Sequence, residues 1–216
     1  MELLNVKPNE ITFRHKLFES KYSEIHLVEI RGLTCIMKVH HGRGPRKPYE
    51  HPTRELDIHV RERTAYERLK EHGLCDRGII PYFYGSMSKF DPKLCEPYLK
   101  AFWDDEYPPS AIFLEYIPNI ERLTFENFND KRADNWVKGL REINKALVNH
   151  HDAVPRNMMV VKDDPERVVW LDFDRAWTFN PKKITAQEKT WLAEEDEGLV
   201  YMMETMLSTG LPVKEA

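Results

Sequence analysis

Apolar and polar residues alternate through the first part of the chain. Ile25 and Leu27, then Leu33, Cys35 and Met37, recur at every second position, and the pattern between Phe13 and Val39 predicts three short antiparallel strands. Thr53 to His72 reads as a charged helix, Gly85 closes a further strand, and Ala111 to Glu115 reads as a buried one. From Asp130 to about Asn149 the period changes, and Trp136, Leu140, Ile143 and Leu147 fall on one helical face. Two strand-like runs follow, Met158–Val161 and Val168–Leu171, joined by an Asp-Asp-Pro turn. A last helix starts at Thr185, whose Thr-x-x-Glu188 sequence has the form of a capping box. Gly and Pro mark loops at 41–48, 105–110 and 163–166. Strands, a helix, more strands and then helices with a small hairpin predict an α+β protein in two lobes, about 1–117 and about 118–216 of a single domain.

Composition narrows the class. At 216 residues, 41% hydrophobic and 31% charged, the chain is globular rather than disordered. Its net charge of −4 lacks the global basic field of a nucleic-acid binder, although a local patch is compatible with it. Cys35, Cys75 and Cys95 are few and far apart, which argues against a disulfide framework or a zinc site and for a reducing compartment. The start has no basic flank followed by an apolar run, and no stretch reaches the roughly 18 to 20 apolar residues of a membrane span. The expectation is a soluble, cytoplasmic protein with no membrane partner. Trp103, Trp136, Trp170, Trp177 and Trp191 read as core residues, and Glu194–Glu197 as a solubilising helix face.

The densest chemistry is His-His-Asp-Ala-Val-Pro-Arg-Asn at 150–157, followed by an apolar strand and Leu-Asp-Phe-Asp at 171–174. A loop carboxylate, Asp152, suits a reacting proton, while Asn157 and Asp172 supply hard oxygen atoms of the kind Mg²⁺ takes. The run resembles the protein-kinase catalytic loop H-x-D-x-x-x-x-N and the metal-binding triplet after it, with Asp174 in place of glycine. Cys-Ile-Met-Lys at 35–38 resembles the kinase strand that carries the phosphate-pairing lysine, here Lys38. Glu62 is the preferred helix partner for Lys38, with Glu67 the competing choice. Ala-Ile-Phe-Leu-Glu-Tyr-Ile-Pro, 111–118, resembles the strand and hinge between kinase lobes. The resemblance runs from Phe13 to Asp174 and implies a protein-kinase-like two-lobed fold with a truncated C-terminal lobe.

Two departures limit what that resemblance implies. The turn at 18–24, Phe-Glu-Ser-Lys-Tyr-Ser-Glu, has no glycine where kinases place a glycine-rich loop over phosphate. About forty residues follow Asp172, with no A-P-E-like sequence, so a platform for a protein substrate is not expected. A basic run, His40, His41, Arg43, Arg46, Lys47, His51 and Arg54, suits a phosphate backbone, and Asp104, Asp105 and Glu106 suit a guanidinium or ammonium group.

Cys-Asp-Arg-Gly-Ile-Ile-Pro, Asp-Asp-Glu-Tyr-Pro-Pro-Ser-Ala-Ile-Phe-Leu-Glu-Tyr and Pro-Arg-Asn-Met-Met-Val-Val with Leu-Asp-Phe-Asp-Arg-Ala resemble a group of small fungal kinase-like proteins, in which the fungal arginine-containing cyclodipeptide synthases are placed. The resemblance implies coupling of arginine and a second amino acid, delivered as arginyl-tRNA and another charged tRNA, into a diketopiperazine of secondary metabolism without ATP. Asp152 or a neighbouring histidine then acts as base, Lys38 or Asn157 stabilises the oxyanion, and Ser20 or Ser23 is a candidate acyl acceptor. The basic loop (Arg43, Arg46, Lys47) meets tRNA, and the acidic trio (Asp104, Asp105, Glu106) reads the arginine side chain. The alternative is ATP- and Mg²⁺-dependent phosphorylation of a small molecule, with Lys38 on the phosphates, Glu62 orienting it, and Asn157 and Asp172 on the metal. A third reading is a non-catalytic pseudokinase binding module.

Overall fold

The structure is a computed structural model that describes residues 2–51, 54–162 and 164–209. It is mixed α+β, and it divides into two compact units, Met1–Arg63 with Phe83–Tyr116, and Thr64–Tyr82 with Ile117–Ala216.

In the first unit the alternating segment forms β1 (Ile11–Glu19), β2 (Ser23–Ile30) and β3 (Leu33–His40), as the pattern predicts. Strands β4 (Phe83–Met87) and β5 (Ser110–Glu115) follow; helix α1 (Ile58–Glu71) begins in this unit and passes into the second at Thr64. The strands make one antiparallel sheet in the order β1-β2-β3-β5-β4. Val28, Ile30, Cys35, Met37, Val39 and Phe113 share its core with Leu3 and Phe102. Each side chain of this size contributes roughly 1.5–3 kcal/mol by leaving water. Burial pushes the Cys35 thiol up to about 12, which makes it a core residue and no nucleophile. Strand β1 is broken by register shifts at Phe13/His15 and Lys16/Phe18.

Several details differ from expectation. Helix α1 starts at Ile58, where Asp57 accepts the Val60 N–H at 3.2 Å; the expected start, Thr53, lies outside the described residues. Gly85 does not close a strand but sits inside β4, at φ +152° and at a register shift. A side chain there would put a Cβ 2.5 Å from the Leu3 carbonyl oxygen, and the Leu3 N–H donates to Tyr84 O at 2.7 Å. Glycine is needed for that close approach. In the 41–48 loop a Cβ on Gly42 would lie 2.3 Å from Tyr107 O, and one on Gly44 2.5 Å from the Tyr107 ring. The two glycines therefore let the loop lie flat on Tyr107.

The second unit contains β6 (Ile120–Arg122), α2 (Asp130–Lys145), β7 (Val148–Asn149), β8 (Met158–Val161), β9 (Asp164–Trp170), β10 (Trp177–Thr178) and α3 (Ala186–Thr209). Asn129 caps α2 by accepting the Arg132 N–H at 2.9 Å, and Trp136, Leu140 and Ile143 are buried as their spacing predicts. The helix stops short of Asn149 because Leu147 turns left-handed, at φ +60°, and Val148 and Asn149 pair with β10 instead. Strands β6, β8 and β9 form a small sheet; Asp163 of the expected turn lies outside the described residues. Thr185 and Glu188 make the predicted capping box, with Glu188 Oε2 accepting the Thr185 N–H at 2.7 Å and Thr185 Oγ1 the Glu188 N–H at 3.2 Å.

Trp136 and Trp170 are core residues, whereas Trp103, Trp177 and Trp191 are partly exposed, contrary to expectation. Trp177 and Trp191 meet edge to face at 4.9 Å, and His151 stacks on Trp177 at 5.0 Å. Such an arrangement satisfies one another's rings with a side left to solvent. No helix among the described residues is long and apolar enough to cross a membrane.

Candidate active site

Lys38 and His40 alternate on one face of β3, whereas Met37 and Val39 turn to the apolar core. Register sets Lys38 between Ile25 and Ile112, and His40 between Ser23 and Ser110. Glu62, one turn into α1, accepts from both at once. Lys38 Nζ donates to Oε1 at 2.9 Å and His40 Nε2 donates to Oε2 at 2.7 Å. All three side chains are buried, and the competing Glu67 is exposed. Burial works to raise the Glu62 carboxyl, but Lys38 and His40 outweigh it and hold it down to about 2. Because an ionised carboxylate only accepts, His40 Nε2 carries the hydrogen, and its Nδ1 has no hydrogen-bond partner.

His59 of α1 has its ring 5.9 Å from that of His40 and its Nε2 likewise unpartnered. Burial pushes His59 down to about 4, so it is neutral at pH 7. The cluster thus holds a fixed ammonium group, its carboxylate, and two bare imidazole nitrogens.

The second set lies in the other unit. Asp152 follows β7 in a loop, and its side chain is only 10% exposed. Arg156 donates to Oδ1 at 2.6 Å and Asn157 Nδ2 to Oδ2 at 2.9 Å, with Arg175 Nη1 at 3.9 Å from Oδ1. A carboxylate offers about four lone-pair sites, so these bonds orient Asp152 and leave capacity for a substrate proton. Asn157 Nδ2 also donates to the Asp152 carbonyl, which frees its Oδ1 for another partner. The loop is tied to Leu171, directly before the 172–174 triplet, from both ends: His150 Nε2 donates to Leu171 O at 2.9 Å, and Leu171 N to Asn157 O at 3.1 Å. Asp172 then turns left-handed, φ +65°. Asn157 Oδ1 and the Asp172 carboxylate are oxygen donors of the type Mg²⁺ prefers. Among the described residues no group of three or more His, Cys, Asp or Glu is placed to hold a metal ion.

The expected substrate contacts fare unevenly. Arg43 pairs with Glu50, and Arg46 donates to the His51 and Arg54 carbonyls, so both turn inward on their own loop. The Lys47 ammonium sits over the exposed Tyr49 ring at 5.9 Å. Asp105 meets His41 at 2.7 Å, Glu106 bonds the Tyr107 hydroxyl, and Asp104 is exposed. His40, read as part of the basic run, is instead buried against Glu62 and cannot meet a phosphate backbone; sequence reasoning missed its role there, and the roles of Arg156 and Glu195. His40 was within reach, being two residues from Lys38 on a strand; Arg156 is four residues after Asp152 in a loop, where no periodicity applies. Glu195 corrects the reading of 194–197 as a plain charged face, because it accepts the N–H groups of His150 and His151. Neither the protein-family models nor the curated proteins contain a match to this chain.

Proposed function

We propose that this chain is a cytoplasmic group-transfer enzyme with a kinase-like arrangement, and that it joins arginine to a second amino acid as cyclo-Arg-Xaa, both supplied as aminoacyl-tRNA. The attacking α-amine adds to the ester carbonyl, and Asp152 takes its proton. Collapse expels the 3′ oxygen of the tRNA, which receives the proton. A second amine attack on the remaining ester closes the ring and releases the other tRNA. Ester cleavage drives both steps, so no ATP is required.

The observation that carries this reading is the turn between β1 and β2. Ser20 Oγ accepts the N–H groups of Tyr22 and Ser23, both at 3.1 Å, and Ser20 N donates to Ser23 O at 2.9 Å. The amides that a glycine-rich turn would offer to phosphates are spent inside the turn. Arg43 and Arg46 are paired within their own loop, which leaves Lys47 as the better candidate of the three for a tRNA phosphate.

Magnesium-ATP phosphorylation of a small molecule is the second reading. A buried lysine on β3 paired with a glutamate on the next helix favours it, since kinases use such a pair to hold the phosphate lysine. Asn157 and Asp172 would hold the metal, which would neutralise charge on the transferred phosphoryl group.

Expression in a bacterial host, with mass spectrometry of the medium, separates the two. Cyclo-arginyl dipeptide that vanishes in Asp152→Ala, from a protein that does not bind ATP, is the expected result. Micromolar Mg²⁺-ATP binding without dipeptide overturns the synthase, and neither signal points to a binding module. Charge reversal of Arg43, Arg46 and Lys47 lowers product yield if that loop meets tRNA; full yield at physiological salt removes it.

A further inference from the structure

Four acidic residues run along α3 at 194–197, but they do different things. Asp196 faces α2 and pairs with Arg141 at 2.8 Å. Glu195 turns toward the loop that carries Asp152. Its Oε2 accepts the His150 N–H at 3.1 Å and its Oε1 the His151 N–H at 2.6 Å. These are the two residues directly before Asp152. His151 has φ +60°, a left-handed backbone that a residue with a side chain keeps only when its surroundings enforce it. The forked acceptor on consecutive amides is such an enforcement.

We propose that Glu195 is a positioning residue, whose ionised carboxylate fixes Asp152 by gripping the two backbone amides ahead of it. The inference rests on the reading of Asp152 as the working base. An ionised carboxylate presents acceptors to both N–H groups, whereas protonation turns one oxygen into a donor facing a donor. One of the two bonds is then lost, and the left-handed turn at His151 with it.

The surroundings make that proton matter. Burial is the main influence on the Glu195 carboxyl and raises it to about 7, against the downward pull of the His151 and His150 amides. On the loop side the titratable groups are His150, whose ring bonds Leu171 O, His151, whose ring stacks on Trp177, and Asp152, paired with Arg156. From α2 come Arg141, paired with Asp196, and Glu142, paired with Arg77 and Lys145. Strand β7 supplies the neutral Asn149, bonded to Trp191 O. No cation is bonded to Glu195 among the described residues, so amide dipoles alone stabilise its charge.

The test is nuclear magnetic resonance on the labelled full chain, following the His150 and His151 amide protons through neutral pH. Both amides are expected to move together with one midpoint near 7 and to stay still in Glu195→Gln, which keeps the shape without the charge. A curve shared by both proteins comes from a group other than Glu195 and overturns the proposal, as does a flat one in the wild type. Glu195→Asp keeps the charge and retains a titration, which guards against a folding defect in the glutamine variant. Turnover at pH 8 is read separately, with Glu195→Gln expected to lose roughly tenfold in kcat at unchanged KM and Glu195→Asp to recover part of it. Wild-type kcat in Glu195→Gln overturns the positioning role. A wild-type protein without turnover counts against the proposed reaction, and the amide titration then decides the grip alone.

Discussion

Glu62 on α1 and Glu195 on α3 are both glutamates on which burial is the largest single influence, and their protons behave in opposite ways. Glu62 is held down to about 2, while Glu195 is raised to about 7. Both accept two hydrogen bonds. At Glu62 they come from an ammonium and an imidazole; at Glu195 they come from two neutral amides. A full charge at hydrogen-bond distance outweighs burial, and a pair of backbone dipoles does not. The first carboxylate is a permanent fixture of its sheet, whereas the second stands ready to change state near neutral pH.

The contrast breaks most visibly at Glu62. Glu62→Ala leaves the Lys38 ammonium buried with its carboxylate gone, and is expected to cost about 3–5 kcal/mol in urea unfolding. Next comes the pH dependence. The folded Glu195 carboxyl lies above its ordinary 4.5, so between that value and about 7 the folded state keeps a proton that the unfolded chain releases. Its contribution to stability therefore falls as pH rises through that window, by up to about 3 kcal/mol. Comparing wild type with Glu195→Gln at pH 5 and pH 8 measures it, and a constant difference refutes it. Glu62 runs the other way: its stabilisation is present above the ordinary carboxylate range and disappears as pH falls through about 2. His40→Ala sharpens the comparison by removing one of the two bonds to Glu62, and should cost roughly 1–3 kcal/mol. Smallest is Asp196→Ala, one residue from Glu195 but in a half-exposed pair with Arg141, where less than about 1 kcal/mol is expected by the same denaturation.

Local periodicity carries the regular elements and fails where distant backbone decides. Alternation at Ile25 to Met37 marks three strands, and helical spacing marks the buried face of α2, because each pattern repeats within one element. The choice of Glu62 over Glu67 depended on where α1 meets β3, which nothing in the helix itself states. Glu195 resembled its neighbours since a charge run does not reveal which member faces a loop some forty-five residues earlier. The left-handed backbone at Leu147, His151 and Asp172 carries no glycine to announce it. Gly42, Gly44 and Gly85 did stand out, but as loop or strand ends; their use is close approach to Tyr107 and Leu3. Arg156 and Asn157 bond Asp152 because their loop is short, while Arg43 and Arg46 spend their donors locally.

The five-stranded sheet has two open margins, and each carries a guard against recruiting another chain. Along β1, two bulges interrupt the ladder, and Arg14 and Lys16 set charge on the margin through their pairs with Glu29 and Glu24. At β4, Leu3 lies across the margin in the space that Gly85 leaves open. Strand-to-strand growth into fibrils needs a flat row of waiting amides, and neither margin offers one. Replacing Gly85 would therefore do more than strain a strand: by displacing Leu3 it would uncover β4 and turn a structural defect into an aggregation risk.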